Sequence, residues 1–357
     1  MPPPNLGLGI GFHATGALLS SNCYAPQKYV KGWSWETFWL TQAAWCWLLW
    51  PIIGALITIP HLRQVLTDSP HDAMFYAFLM GIAYGVGGTA FNISIRYIGF
   101  SLTYSIAVGL SSILGTLTPP LVRGQIATIA SRPGASWVLA GVAAGALGIA
   151  ICGFAGRMKE RDLDAGAGKR GEFCLWKGLT LSLVAGVLSA VYGLALEVAA
   201  PVADIAEHYG AGIWRGNVCY IVVNTGAFIT AALYSLYLAR RNRSLGELLR
   251  IPAAVQKDRP ANQLSRNYAL ALLTGTLWYG QFFFYNLGHV RLGQRYAFSS
   301  WAIHMILLVM FSNLLGLAFK EWKDSSLQTR VIVGLGIVVL CAAVMMLTYG
   351  NRLGETA

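Results

Sequence analysis

The sequence reads as ten long apolar runs separated by short polar gaps. The runs cover roughly 7–26, 36–59, 72–95, 100–122, 136–155, 178–200, 213–238, 267–288, 296–319 and 331–349. About 20 apolar residues suffice for a helix to cross the hydrocarbon core of a bilayer. The expected fold is therefore an all-α membrane protein with ten transmembrane helices. Composition agrees: 11% of the residues are charged, against about 25% in soluble domains, and the mean hydropathy is +0.54.

A net charge of +11 would suit a nucleic-acid partner if the basic residues were clustered. They are instead confined to the gaps, where membrane insertion places them. Arg63, Arg123, Arg132, Arg215, Arg291, Arg295 and Arg352 fall in one alternating set of gaps, and the other nineteen of the 26 Lys and Arg fall in the other set. The richer side is expected to be cytoplasmic, which with ten spans puts both termini outside. No Lys or Arg precedes the first run, so that run is expected to be a retained span rather than a signal peptide. Six cysteines without a CxxC pair indicate neither a metal site nor a disulfide framework.

The basic gap near 157–177 divides the chain into five spans, 1–156, and five more, 178–357. The halves align in places. FNISIRYIG (91–99) lies over YNLGHVRLG (285–293), with Gly81 opposite Gly275 and Asn92 opposite Asn286, and Leu19–Ser20 matches Leu188–Ser189. An odd number of spans per half makes the second copy enter from the other side, which gives inverted repeats with a site between them. Chance similarity of Gly-rich apolar helices is the competing account.

The densest polar-aromatic stretch is 275–304. Residues three, four and seven apart share a helix face, so Trp278, Gln281 and Tyr285 line up, with Tyr279, Phe282 and Asn286 on another face. Aromatic rings beside an amide can stack on a sugar and bond its hydroxyls; an aromatic belt at the membrane surface is the alternative. Tyr84, Asn92, Gln42 and Tyr104 are further candidates, with Asn92 and Asn286 also readable as helix-end caps. Ionisable groups at membrane depth point to function. Glu36 and Glu197 are the acids inside runs; Glu36 reads as an anchor at the inner end of its span. His13 and His304 lie about 9 and about 12 Å below the outer boundary, Gln281 about 10 Å and Glu197 about 6 Å, so these four are expected at similar depth. No GxSxG, P-loop or HExxH setting is present, and an enzyme is not expected.

The segments KGWSWET (31–37), RYIGFSLTYSIAVGLSSILGTLTPPL (96–121), LWYGQFFFYNLGH (277–289), SWAIHM (300–305) and LAFKEW (317–322) resemble the bacterial L-rhamnose–proton symporter family. The resemblance spans nearly the whole chain. It implies the drug/metabolite transporter fold, ten helices in two inverted five-helix repeats. It also implies sugar uptake with a proton across the inner membrane, with no cofactor besides that proton. On this reading Gln281, Trp278, Tyr285, Asn286, Tyr84, Asn92, Gln42 and Tyr104 are expected to bind sugar. Glu197, His13 and His304 are expected to couple the proton, histidine being suited to exchange near its unperturbed pKa of about 6.5. The chain departs from enterobacterial members at Gly88 and Ala90, where they carry two Asn, at Ala297, where they carry Asp, and at Glu197, where they carry Asn. The alternatives are an exporter or exchanger of other metabolites on the same fold, and a membrane sugar sensor. The expected surroundings are lipid and a small-molecule sugar, with no nucleic acid; the oligomeric state is left unassigned.

Overall fold

The computed structural model describes residues 5–98, 100–164, 174–250, 263–293 and 299–355. Its long helices are α1 (Leu6–Ser21), α2 (Trp35–Thr58), α3 (His71–Ile98), α4 (Phe100–Val122), α5 (Ala135–Asp164), α6 (Leu175–Val198), α7 (Asn217–Arg241), α8 (Gln263–Leu292), α9 (Ser300–Ala318) and α10 (Leu327–Glu355). Each of the ten apolar runs forms one of them. Eight helical stretches are long and apolar enough to cross a membrane. The other two expected spans are α1 and α8. At 16 residues, α1 reaches about 24 Å against a core of about 30 Å. α8 has 30 residues, but it buries Gln263, Asn267, Gln281 and Asn286. These two helices pack along each other, so the polar groups of α8 face protein rather than lipid.

Local chemistry explains the ends and breaks. Asn5 caps α1, its side chain accepting the Leu8 N–H at 2.9 Å. Pro201 begins the short helix Ala200–His208 that follows α6, a place where its missing N–H costs nothing. In α2 the problem is Pro51, which removes one helical bond and crowds the carbonyl four residues earlier. The turn just before it, Ala44–Leu49, is wound as a π-helix, so one extra residue is absorbed there. Asn92 and Asn286 do not cap helix ends: α3 and α8 continue past them to Ile98 and Leu292. α5 likewise continues to Asp164, beyond the expected boundary at 156.

The main pairings are α1 with α8 and α9, α6 with α3 and α4, α7 with α3 and α2, α8 with α2, and α5 with α4 and α10. Glycines permit close approach in two of these. A Cβ on Gly81 would lie against the carbonyl of Val223 on α7. One on Gly275 would lie 2.5 Å from the Trp45 Cβ on α2.

Bonds between connections sort into two ends. At one end Lys28 pairs with Glu321 at 2.9 Å, Glu247 accepts from the Ser34 N–H and the Thr37 hydroxyl, and Asp162 accepts from the Ser326 N–H and the Thr329 hydroxyl. Glu36 belongs here too, accepting from Asn242 at 2.9 Å and Ser244 at 2.8 Å, which ties the start of α2 to the end of α7. At the other end Arg123 pairs with Glu197, the Tyr209 hydroxyl donates to Asp68 at 2.5 Å, and the Asn5 N–H donates to the Arg291 carbonyl. The outward faces carry exposed Leu56, Ile57, Leu233, Val338 and Met345, an apolar girdle of a kind that water disfavours and lipid does not.

Candidate functional site

A cavity of about 160 Å³ lies where α1, α2, α3, α4, α6, α8 and α9 converge. Trp39 and Trp47 from α2 and Trp278 from α8 form one wall with Tyr24. The Trp278 ring meets Tyr24, Trp39 and Trp47 edge-on at 5.4, 5.7 and 5.2 Å. Tyr84 and Asn92 come from α3, Tyr104 from α4, Ser20 and Ser21 from α1, and Ser189 from α6. Gln281, Tyr285, Trp301 and His304 close the other side. Among the described residues the lining contains no Asp, Glu, Lys or Arg. Such a surface suits a neutral ligand that stacks on rings and bonds through hydroxyls.

The structure brings together most of the residues singled out for a sugar. Gln281, Trp278, Tyr285, Tyr84, Asn92 and Tyr104 all line this cavity. Asn92 donates to the Gly88 carbonyl at 2.9 Å, which leaves its carbonyl oxygen for a ligand. Two candidates lie elsewhere. Gln42 is fully buried but is not part of the lining; the α8 backbone at Gly275 packs on its carbonyl instead. Asn286 faces the opposite side of α8, donating to Asn217 and to the Ile213 carbonyl at 3.4 Å.

The four groups expected at similar depth, Glu197, His13, His304 and Gln281, divide in two. His304 lines the cavity with Gln281. His13 lies behind it, ring centroids 5.8 Å apart, and Tyr285 touches both rings, at 5.2 Å from His13 and 5.5 Å from His304. His13 Nε2 also bonds Ser300 Oγ at 2.9 Å, and its ring fits because position 288 is glycine, where a Cβ would approach it to 2.8 Å. Glu197 is separate. It pairs with Arg123 at 2.5 Å and opens on a vestibule shared with Arg215, Asp204 and His289. Tyr285 and Trp301 line both spaces, so their rings, 5.6 Å apart, stand between them. A third pocket, toward the Lys28 end, holds Gln27 and Lys28 and shares Tyr24, Phe91 and Asn92 with the cavity. Of the departures noted above, Gly88 lines the cavity, Ala90 is buried against Ala107 and Ala185, and Ala297 lies outside the described residues.

Trp47, Trp301 and Tyr24 were not among the sequence candidates. Trp301 stood in SWAIHM, and its role in holding α9 against α4, the indole donating to the Ser111 carbonyl at 3.0 Å, depends on a partner 190 residues away.

Residues 4–352 match the model of the L-rhamnose-proton symport protein (RhaT) family. The chain belongs to the L-rhamnose–proton symport family. Relatives include proteins named L-rhamnose-proton symporter from Yersinia pestis (strain Pestoides F), 31% identical over 344 residues, and from Cronobacter sakazakii (strain ATCC BAA-894), 32% identical over 345 residues. Both alignments cover 96% of this chain and 97% of the relative. This symport family is one of multi-pass membrane transporters rather than enzymes, which agrees with the helices described above.

Proposed function

We propose that this protein imports L-rhamnose, or a closely related deoxyhexose, together with a proton across the bacterial inner membrane. The observation that carries this is the uncharged, aromatic-walled cavity with Gln281, Asn92 and four serines in its lining, in a chain of a family that binds a neutral sugar. The transport cycle is alternating access by two inverted repeats, 1–156 and 178–357, with ten crossings and both termini outside.

Several pairings support the repeat. Exchanging each helix with the one five places along turns α1 on α8 into α6 on α3, α1 on α9 into α6 on α4, and α3 on α7 into α8 on α2, and all of these pack. The alignment that sets Leu19–Ser20 on Leu188–Ser189 also sets Gly9 on Gly178. A Cβ on Gly9 would meet Leu292, and one on Gly178 would meet Ile98; Ile98 and Leu292 are themselves matched by the alignment of Asn92 with Asn286. Ser20 and Ser189 both line the cavity. The same alignment sets Lys28 on Glu197, whose ion pairs close opposite ends of the molecule. Bonds between connections join gaps of the same parity, as ten alternating crossings require.

For the proton, His304 is favoured. It is the lining histidine, backed by His13 and Tyr285, and a cationic ring there is relieved when the proton leaves to the cytoplasm. Glu197 in this reading serves the outer vestibule, its charge balanced by Arg123.

The test is uptake of labelled L-rhamnose into proteoliposomes with and without an inward proton gradient. Wild type accumulates sugar under the gradient. His304→Gln retains sugar exchange without a gradient but loses accumulation, whereas Glu197→Gln still accumulates. Loss of accumulation in Glu197→Gln with His304→Gln unaffected would move the coupling site to the vestibule. A wild type that neither transports nor binds rhamnose would overturn the substrate.

A further inference from the structure

We propose that Trp47 is a specificity-determining residue: its indole N–H donates to one hydroxyl of the bound sugar, and the π-turn of α2 is what puts it there. The proposal rests on the sugar-symport reading and adds a contact to it.

Trp47 is 2% exposed, and its ring lines the cavity. Three aromatic neighbours hold the ring: Trp39 at 6.1 Å, Tyr84 at 6.1 Å and Trp278 at 5.2 Å. Its Nε1 is buried and meets no acceptor among the described residues. Indole nitrogen only donates, and buried donors without acceptors are rare because each costs a lost hydrogen bond. Three other tryptophans show the contrast. Trp301 donates to the Ser111 carbonyl, Trp33 to the Glu247 carbonyl and Trp50 to the Thr276 hydroxyl. Trp47 lines the cavity and is the tryptophan whose buried nitrogen lacks such a partner among the described residues, and on this proposal a sugar filling the cavity supplies the acceptor.

The backbone supplies the second, independent observation. Trp39 and Trp47 are eight residues apart, and eight α-helical steps of about 100° would set them about 80° apart around the axis. The π-turn at Ala44–Leu49 takes up one residue. Seven effective steps then bring the two rings to within about 20° of one face, and both line the cavity. Without that turn, Trp47 would point away from Trp278 and the sugar space. π-turns of this kind recur at functional sites for this reason.

The experiment measures binding of L-rhamnose and of its singly deoxygenated analogues to the purified protein in nanodiscs by calorimetry. Two variants are compared with wild type: Trp47→Phe, and position 47 filled with benzothienylalanine, which keeps the bicyclic shape and replaces the N–H with sulfur. In wild type, one deoxy analogue binds about five- to tenfold more weakly than L-rhamnose, the size of a single hydrogen bond. In both variants L-rhamnose weakens to the level of that analogue, and the analogue itself is unchanged. If Trp47→Phe is poorly folded, the near-isosteric variant alone decides. Variants that bind L-rhamnose as wild type does, or that weaken every analogue equally, overturn the contact while leaving sugar transport standing. A wild type that binds neither L-rhamnose nor any analogue overturns the transport reading itself.

Discussion

Gln281 shows how a single side chain earns a place in this site. It sits one turn beyond Trp278 and one turn before Tyr285 on α8, lines the cavity, and makes no side-chain hydrogen bond among the described residues. Its amide is therefore free for a ligand that carries both donors and acceptors. Gln281→Leu keeps the volume and removes both. Rhamnose affinity is expected to fall about tenfold, or about 1.4 kcal/mol, with the thermal midpoint in detergent unchanged; calorimetry beside a melting curve checks it. Glu36 behaves oppositely. Its carboxylate accepts from Asn242 and Ser244 in a buried corner. Glu36→Ala leaves those groups unpaired and is expected to destabilise the protein by about 2–3 kcal/mol while rhamnose affinity in the folded fraction is retained.

At the scale of the element, contact between helices depends on small residues at defined heights. Gly275 lets α8 lie on the π-turn of α2, with the Trp45 Cβ and the Gln42 carbonyl directly opposite. Gly275→Val puts branched bulk where a single Cβ already meets Trp45 at 2.5 Å. The helices must separate, at about 1–3 kcal/mol of strain, and Trp47 and Trp278 move apart with them. The expected result is a lower thermal midpoint together with weaker rhamnose binding, whereas Glu36→Ala lowers only the midpoint. Gly334, whose added Cβ meets nothing within 4 Å, is the control: Gly334→Ala is expected to leave both unchanged.

At the scale of the whole molecule, the proposed alternating-access cycle sets the two ion pairs against each other. Arg123–Glu197 ties the ends of α4 and α6, and Lys28–Glu321 ties the connections after α1 and α9 at the opposite end. Both are half-exposed or more on at least one partner, so each contributes at most about 1 kcal/mol. That is enough to move a balanced two-state equilibrium about fivefold. Cys23 lines the cavity and reports which end is open. In a variant retaining Cys23 alone, Arg123→Ala is expected to raise labelling by an impermeant thiol reagent from the outside about two- to fivefold. Lys28→Ala is expected to lower it. Equal changes in both would mean that the pairs are ordinary surface contacts.

What the sequence determined by itself was the set of helices and their two ends. Backbone pairing in lipid is local, and run length and charge bias are local as well, so ten runs became ten helices without reference to one another. Much of the site was legible for the same reason: Trp278, Gln281 and Tyr285 share a face of one helix by spacing alone, and they share the cavity. Tertiary structure decided how each helix is turned about its own axis. Gln42 and Asn286 are rotated away from the cavity by the packing of α8 on α2 and α7, and Glu197 is drawn to Arg123 in the turn after α4. Trp47 is swung inward by an irregular turn that no periodicity announces. Rotation is set by glycines, rings and polar groups meeting partners far away in the chain, and a contact of that kind exists only when both helices are in place.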